Sequence, residues 1–318
     1  MLEYVMLIAG FSALIKGADL LVNAANSLAE KFNISKLVIG LTLVAFGTSA
    51  PELFVNVLAS IKGNTDIAIG NVLGSNIANV FLILGISAII YPLKMSQSTV
   101  WKEIPFSLLA GLVLGVLVSD KIIDKNNMSL LTRTDGMILI FFFFMFIYYS
   151  INNARVIEVE GESATYKTYG LLKTVLLLII SLILLGLGAD WVVDSAVRIA
   201  LNFGLSESAI ALTIVALGTS LPELATSAVA AYKKNSDIAV GNVIGSNIFN
   251  IFFVLGISSI ITPLAFNAEI AIDVLITILT SFLLFIFMFT GHKHRLDRWE
   301  GVVSVCLYGG YIAFVITR

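Results

Sequence analysis

The sequence is poor in the residues that water-soluble chemistry uses. Charged side chains make up 13% of its 318 positions; cysteine occurs once, histidine twice and proline five times. A soluble domain has about 25% charged residues, so a water-soluble enzyme and a disordered chain are both excluded. The single cysteine, Cys306, excludes an intrachain disulfide and a cysteine-cluster metal centre; an apolar-flanked thiol of this kind is expected to fill the core. The net charge of −2 gives no reason to expect nucleic acid or another polyanion as partner. No H-E-x-x-H, no Ser–His pairing within an apolar run and no nucleophile elbow occurs, so enzyme chemistry is not expected, and nothing implies a cofactor. What the chain does have is apolar surface. Hydrophobic residues are 58% and the mean hydropathy is +0.98, more than one soluble core hides.

A helix crosses the hydrocarbon with roughly 20 apolar residues. Ten such stretches are expected, at 2–27, 36–60, 67–90, 104–119, 132–151, 169–198, 207–231, 238–261, 269–290 and 300–317. Barrel strands alternate apolar and polar residues, whereas Ile138–Phe146 and Val175–Ile180 are unbroken apolar runs. The first span holds Lys16 and Asp19 behind Glu3, so it is expected to be a retained helix and not a cleaved signal. Lysine and arginine concentrate in the loops opposite the termini, notably Lys31, Lys36, Lys94, Lys102, Lys233, Lys234, Lys293 and Arg295. By the positive-inside rule both termini face outward and the 152–168 loop is cytoplasmic.

The chain also contains itself. Shifted by 171 positions, residues 17–93 align with 188–264 without a gap, and 42 of the 77 pairs are identical. GTSAPEL at 47–53 becomes GTSLPEL at 218–224; DIAIGNVLGSNIANVFLILGIS at 66–87 becomes DIAVGNVIGSNIFNIFFVLGIS at 237–258. Five spans separate equivalent points, and five is odd, so the second copy is expected upside down. The fold class expected is an all-α polytopic membrane protein of ten helices in two inverted five-helix repeats, with broken helices at the centre. Residues 1–151 form the first repeat (motif region 36–90), 152–168 a short cytoplasmic linker, and 169–318 the second (motif region 207–261). Inverted repeats with Gly- or Pro-interrupted spans mark secondary transporters, whose substrate site lies at the repeat interface near the midplane. Pro51 and Pro222 are such interruptions.

The motif residues suit a hard cation. Proline lacks an N–H and clashes with the carbonyl four residues back, so Pro51 releases the Gly47 carbonyl and Pro222 that of Gly218. Carbonyls near Ala45–Gly47 and Ala216–Gly218 then need another partner, because an unsatisfied one is costly in lipid. Thr48, Glu52 and Asn56 share one helical face, as do Thr219, Glu223 and Ser227. Asn71, Ser75 and Asn79, and their copies Asn242, Ser246 and Asn250, form two more oxygen-bearing stripes. Glu52 and Glu223 together bring a charge that one Ca²⁺ or two Na⁺ would neutralise, and Ca²⁺ takes 6–8 oxygen ligands. Blander roles compete: Ser49-x-x-Glu52 and Ser220-x-x-Glu223 fit capping boxes, Ser75 and Ser246 could bond back to helix carbonyls, and Asn71, Asn76, Asn242 and Asn247 fit interhelical bonding. Asp19 and Asp190, matched across the repeat, fit a gating or structural role. His292 and His294 fall in a basic loop and are expected to be solvated.

At GTSAPEL…GNVLGSNIAN and GTSLPEL…GNVIGSNIFN the chain resembles the cation/calcium exchanger superfamily, and looks most like its prokaryotic sodium/calcium exchanger branch. The resemblance covers 17–93 and 188–264, and the hydropathy of the rest agrees with the family's ten-helix plan. It implies Na⁺ entry driving Ca²⁺ out across the cell membrane by alternating access, with the monomer as transport unit. It also implies residue roles. Glu52 and Glu223 would be carboxylates shared by Ca²⁺ and Na⁺, and Thr48 and Thr219 oxygen ligands. Ser49 and Ser220 would line the Na⁺ sites. Ser75, Ser246, Asn79 and Asn250 would complete the ring, with the Ala45 and Ala216 carbonyls contributing. The first and sixth helices would slide across this core, and H⁺ would compete for the carboxylates. Some relatives, including K⁺-dependent ones, have Asp where this chain has Asn250, which speaks against K⁺ cotransport. The rival readings are a Ca²⁺/H⁺ antiporter, which resembles G-N-x-x-E in its motifs, a K⁺-dependent exchanger and, more remotely, a cation channel.

Overall fold

The computed structural model describes residues 2–120, 129–154, 168–203 and 216–317. Its helices, in chain order, are α1 (Leu2–Phe32), α2 (Lys36–Thr48), α3 (Ala50–Ile61), α4 (Thr65–Ile90), α5 (Thr99–Leu117), α6 (Arg133–Asn152) and α7 (Leu171–Asn202). They continue with α8 (Ala216–Gly218), α9 (Leu221–Tyr232), α10 (Ser236–Ile261), α11 (Ala268–Phe287) and α12 (Arg298–Thr317). Among the described residues, eight helices are long and apolar enough to cross a membrane, or nine if the bent pair α2–α3 counts as one span. The chain is thus a helical, multi-pass membrane protein. The expected seventh span, 207–231, is described only from residue 216, and most of the expected linker also lies outside the described residues.

Burial follows the bilayer logic. In α6 and α12 whole faces such as Phe141, Phe144, Tyr148, Val302 and Phe314 are exposed, because lipid is as apolar as a core. The two motif helices are the reverse: α4 and α10 are the most enclosed spans, and α10 is buried without a break from Ile238 through Asn250. They sit at the centre, with α2, α3 and α9 against them and α1 and α7 packed together alongside. Two short antiparallel ladders brace the loops, Leu93–Lys94 on Arg295–Leu296 and Ser129–Leu131 on Leu264–Phe266.

Close approach at the centre depends on missing side chains. A Cβ on Gly241 would lie 2.8 Å from the Leu37 carbonyl oxygen, and one on Gly245 2.7 Å from the Ala45 Cβ. The small-xxx-small stripe of α10 therefore lets α2 cross backbone to backbone. The central helices also contain π-helical turns, at Gly40–Val44, Asn79–Leu84 and Asn250–Leu255. The last two are 171 positions apart and each opens on an asparagine of the motif. Hydropathy does not report such turns, which are frequent at functional sites.

Two peripheral expectations are corrected. Cys306 is exposed on α12 and not in the core; on a helix with one buried stripe, its neighbours Gly301, Ser304 and Tyr308 face inward instead. His292 is exposed as expected, with its Nδ1 2.8 Å from Asp297 Oδ2, but His294 is half-buried and packs edge-on against Phe289.

Candidate ion-binding site

The break in α2–α3 falls at Ser49, whose φ and ψ of −85° and 7° leave the helix and bend the pair by 46°. Pro51 stands in the first turn of α3, where its missing N–H costs nothing. The second half repeats this: Ser220, at −86° and 2°, precedes α9 with Pro222 in its first turn. Glu52 and Glu223 thereby sit in the first turn of α3 and α9, where the positive end of the helix dipole favours a carboxylate. The Ala45 carbonyl is not released by the break, because the Ser49 N–H still donates to it at 3.0 Å; one of its lone pairs is engaged within the helix. Gly47 and Gly218 keep the breaks slim against one helix. A Cβ at Gly47 would meet Leu182 of α7 at 2.7 Å, and one at Gly218 would meet Val193 of α7 at 2.5 Å.

Neither serine caps its helix with its side chain; both reach across to the other half. Ser49 Oγ lies 2.7 Å from Glu223 Oε1 and 2.9 Å from Ser246 Oγ. Ser220 Oγ lies 3.4 Å from Glu52 Oε1 and 3.0 Å from Ser75 Oγ. Ser75 and Ser246 each donate to the glutamate of their own half, at 3.4 Å, and not to helix carbonyls. The threonines are committed in the same crossed fashion. Thr48 Oγ1 donates to Asn242 Oδ1 at 3.0 Å, and Thr219 Oγ1 to Asn71 Oδ1 at 3.2 Å. Asn71 and Asn242 are in turn held by Asn56 and Ser227, at 2.7 and 3.0 Å. Thr48 Oγ1 also lies 3.2 and 3.3 Å from the Val44 and Ala45 carbonyl oxygens, so the asparagine is the nearest of three acceptors for its proton.

The crossed contacts come in pairs related by the shift of 171, and they bring Thr48, Ser49, Glu52 and Ser75 together with Thr219, Ser220, Glu223 and Ser246; Asn250 joins them through Ser75 at 3.3 Å, and Asn79 bonds to Asn247 at 2.9 Å. Both glutamates and both central asparagines are fully buried. Four oxygens here have no hydrogen-bond partner: Glu52 Oε2, Glu223 Oε2, Asn79 Oδ1 and Asn250 Oδ1. Such an orphan costs about 1–3 kcal/mol, more if charged. The two amide oxygens can only accept, and so can the two carboxylate oxygens when ionised, so the group they lack is then a cation or a donor. The backbone of Ala216 opens the short turn α8 beside Thr219.

Asp19 lies apart from this cluster. It pairs with Lys233 at 2.6 Å, and Lys233 Nζ also donates to Asn23 Oδ1 at 2.8 Å, tying α1 to the end of α9. The pattern of α1 alone does not show this partner, but the repeat hints at it, since Lys233 matches Lys62 across the shift. Asp190, the counterpart of Asp19, is exposed on α7.

The family profile described as "Sodium/calcium exchanger protein" matches residues 2–152 and 173–317. The chain is 36% identical to "Inner membrane protein YrbG" of Escherichia coli (strain K12), over 99% of its own length and 96% of the relative's. It is 33% identical to "Sodium/calcium exchanger MaX1" of Methanosarcina acetivorans, over 99% and 97%. Its fold is similar to solved structures of the sodium-calcium exchanger NCX_Mj, for example one soaked with 2.5 mM Na⁺ and 0.1 mM Ca²⁺, with a TM-score of 0.83 and 32% identity over 98% of both chains. The chain belongs to the sodium/calcium exchanger protein family.

Proposed function

We propose that this chain is a secondary active antiporter that exchanges Na⁺ for Ca²⁺ across the cell membrane, normally extruding Ca²⁺. The observation that carries this reading is the set of four unpartnered oxygens, Glu52 Oε2, Glu223 Oε2, Asn79 Oδ1 and Asn250 Oδ1. With the hydroxyls of Thr48, Thr219, Ser49, Ser220, Ser75 and Ser246, and the carbonyls of Ala45 and Ala216, they supply the oxygen-only shell that Ca²⁺ and Na⁺ prefer. Two carboxylates buried together are stable only when their charge is met, because unpaired buried charge costs several kcal/mol. One Ca²⁺ or two Na⁺ meets it. The empty carrier, carrying that charge, resists crossing the dry barrier, so only loaded states switch and exchange follows.

Ten spans form two inverted five-helix repeats, 1–151 and 169–318, joined by the cytoplasmic 152–168 segment, with both termini outside. One chain holds a complete pair of half-sites, so the monomer is the transport unit. The α1 and α7 pair is the mobile part, and the Lys233–Asp19 contact holds α1 over the end of α9 on the lysine-rich face.

Equilibrium binding tests this reading. Purified protein should bind ⁴⁵Ca²⁺ at one site per chain, Na⁺ should displace it competitively, and acid should weaken it as protons take the two carboxylates. Ca²⁺ binding indifferent to Na⁺ and to mildly acidic pH would contradict a shared carboxylate site.

A further inference from the structure

Two of the four unpartnered oxygens belong to amides, and an amide can present either an oxygen or an NH₂ group. The oxygen helps a cation and the NH₂ repels it, so something must choose. Asparagine turns between the two at little intrinsic cost, and the choice is set by its hydrogen bonds.

The neighbouring bonds make that choice through two backbone carbonyls, which can only accept. Asn247 Nδ2 donates to the Asn76 carbonyl at 3.3 Å. Its amide is thereby fixed, with Oδ1 directed to Asn79, whose Nδ2 donates to it at 2.9 Å. With its NH₂ so held, Asn79 has its Oδ1 left over. The mirror chain runs from the other half. Asn76 Nδ2 donates to the Asn247 carbonyl at 3.1 Å, and Asn76 Oδ1 accepts from Asn250 Nδ2 at 3.1 Å. Ser75 Oγ lies 3.3 Å from the same Asn250 nitrogen. All four asparagines are buried, so water does not take over these roles. Each half of the molecule thus sets the amide of the other.

We propose that Asn76 and Asn247 are positioning residues that fix the flip of Asn250 and Asn79, so that both central amides offer oxygen and not nitrogen to the transported cation. The inference rests on the site assigned under the proposed function. It goes beyond that assignment by giving two residues outside the ion shell control over which atom the shell presents. A carboxylate has two equivalent oxygens and needs no such control, and this is the lever for the test.

The experiment measures Na⁺-driven ⁴⁵Ca²⁺ uptake against Ca²⁺ concentration in proteoliposomes. Asn76→Ala frees Asn250, and Asn247→Ala frees Asn79. Each should raise the half-saturating Ca²⁺ concentration by roughly 10–100-fold, as loss of an outer partner of a metal ligand does, with the maximal rate kept within about twofold. Adding Asn250→Asp should restore affinity in Asn76→Ala, and adding Asn79→Asp should restore it in Asn247→Ala. The crossed pairs, Asn76→Ala with Asn79→Asp and Asn247→Ala with Asn250→Asp, should not, although they add the same charge. Equal rescue by cognate and crossed pairs, or unchanged affinity in the single variants, would overturn the proposal. Asn76→Ser and Asn247→Ser keep a donor toward the facing carbonyl and replace any alanine variant that does not fold. A wild-type carrier that shows no Na⁺-driven uptake would instead sink the underlying reading.

Discussion

Either Glu52→Gln or Glu223→Gln should lower Na⁺-driven ⁴⁵Ca²⁺ uptake by about a hundredfold or more. Removing one charge from a buried, paired set costs about 3–5 kcal/mol, which is roughly two to three and a half decades in an equilibrium constant. Glutamine keeps the size and one acceptor oxygen, so packing around α3 and α9 is retained. The same substitution should make the ion-free protein more heat-stable, because a fully buried carboxylate facing its twin is replaced by a neutral group. Loss of uptake with a raised melting temperature separates an ion ligand from a structural acid. Uptake retained in both variants would remove the two glutamates from the site.

Gly245→Val should prevent assembly of the folded carrier. The Cβ alone would lie 2.7 Å from the Ala45 Cβ and 2.8 Å from the Leu41 carbonyl carbon. These neighbours are helix α2, which cannot move aside as a flexible side chain can, and which carries Thr48 into the site. Overpacking costs about 1–3 kcal/mol where side chains can adjust, and here about 3 kcal/mol or more is expected. Gly310→Ala is the matched control: nothing lies within 4 Å of a Cβ there, and alanine is the better helix former by about 1 kcal/mol. Size-exclusion profiles of the two variants in detergent should be aggregated for the first and unchanged for the second. A monodisperse Gly245→Val protein would show that α2 and α10 cross less closely than the structure has them.

Much of this arrangement was legible in the amino-acid order because the repeat doubles every signal. The stripes Thr48–Glu52–Asn56 and Asn71–Ser75–Asn79 follow helical spacing, and their copies at Thr219–Glu223–Ser227 and Asn242–Ser246–Asn250 make chance untenable. What spacing does not encode is the partner. Ser49 reads equally well as a helix cap or as a hydroxyl crossing to Glu223, and only the placement of α9 decides. Asn76 reads as an interhelical bond, yet which atom it leaves to Asn250 depends on a carbonyl 171 positions away. The π-helical turns at Asn79 and Asn250 are invisible to hydropathy for the same reason: a ladder shifted by one residue keeps its apolar surface. Acidic groups outside the motif carry no such doubled signal. Glu103 is 4% exposed and takes a 2.8 Å hydrogen bond from Tyr149, and Asp273 faces Tyr311. Neither has an acidic counterpart at the shift of 171, where Glu103 falls on Val274 and Asp273 on Lys102.

The most direct test of a single oxygen cage serving both ions in turn is ⁴⁵Ca²⁺ entry into proteoliposomes loaded with Na⁺, K⁺ or acid, one gradient at a time. Entry should saturate with Ca²⁺, require internal Na⁺, and ignore K⁺. Entry driven as well by a proton gradient alone, or persisting with no counter-ion inside, would contradict it.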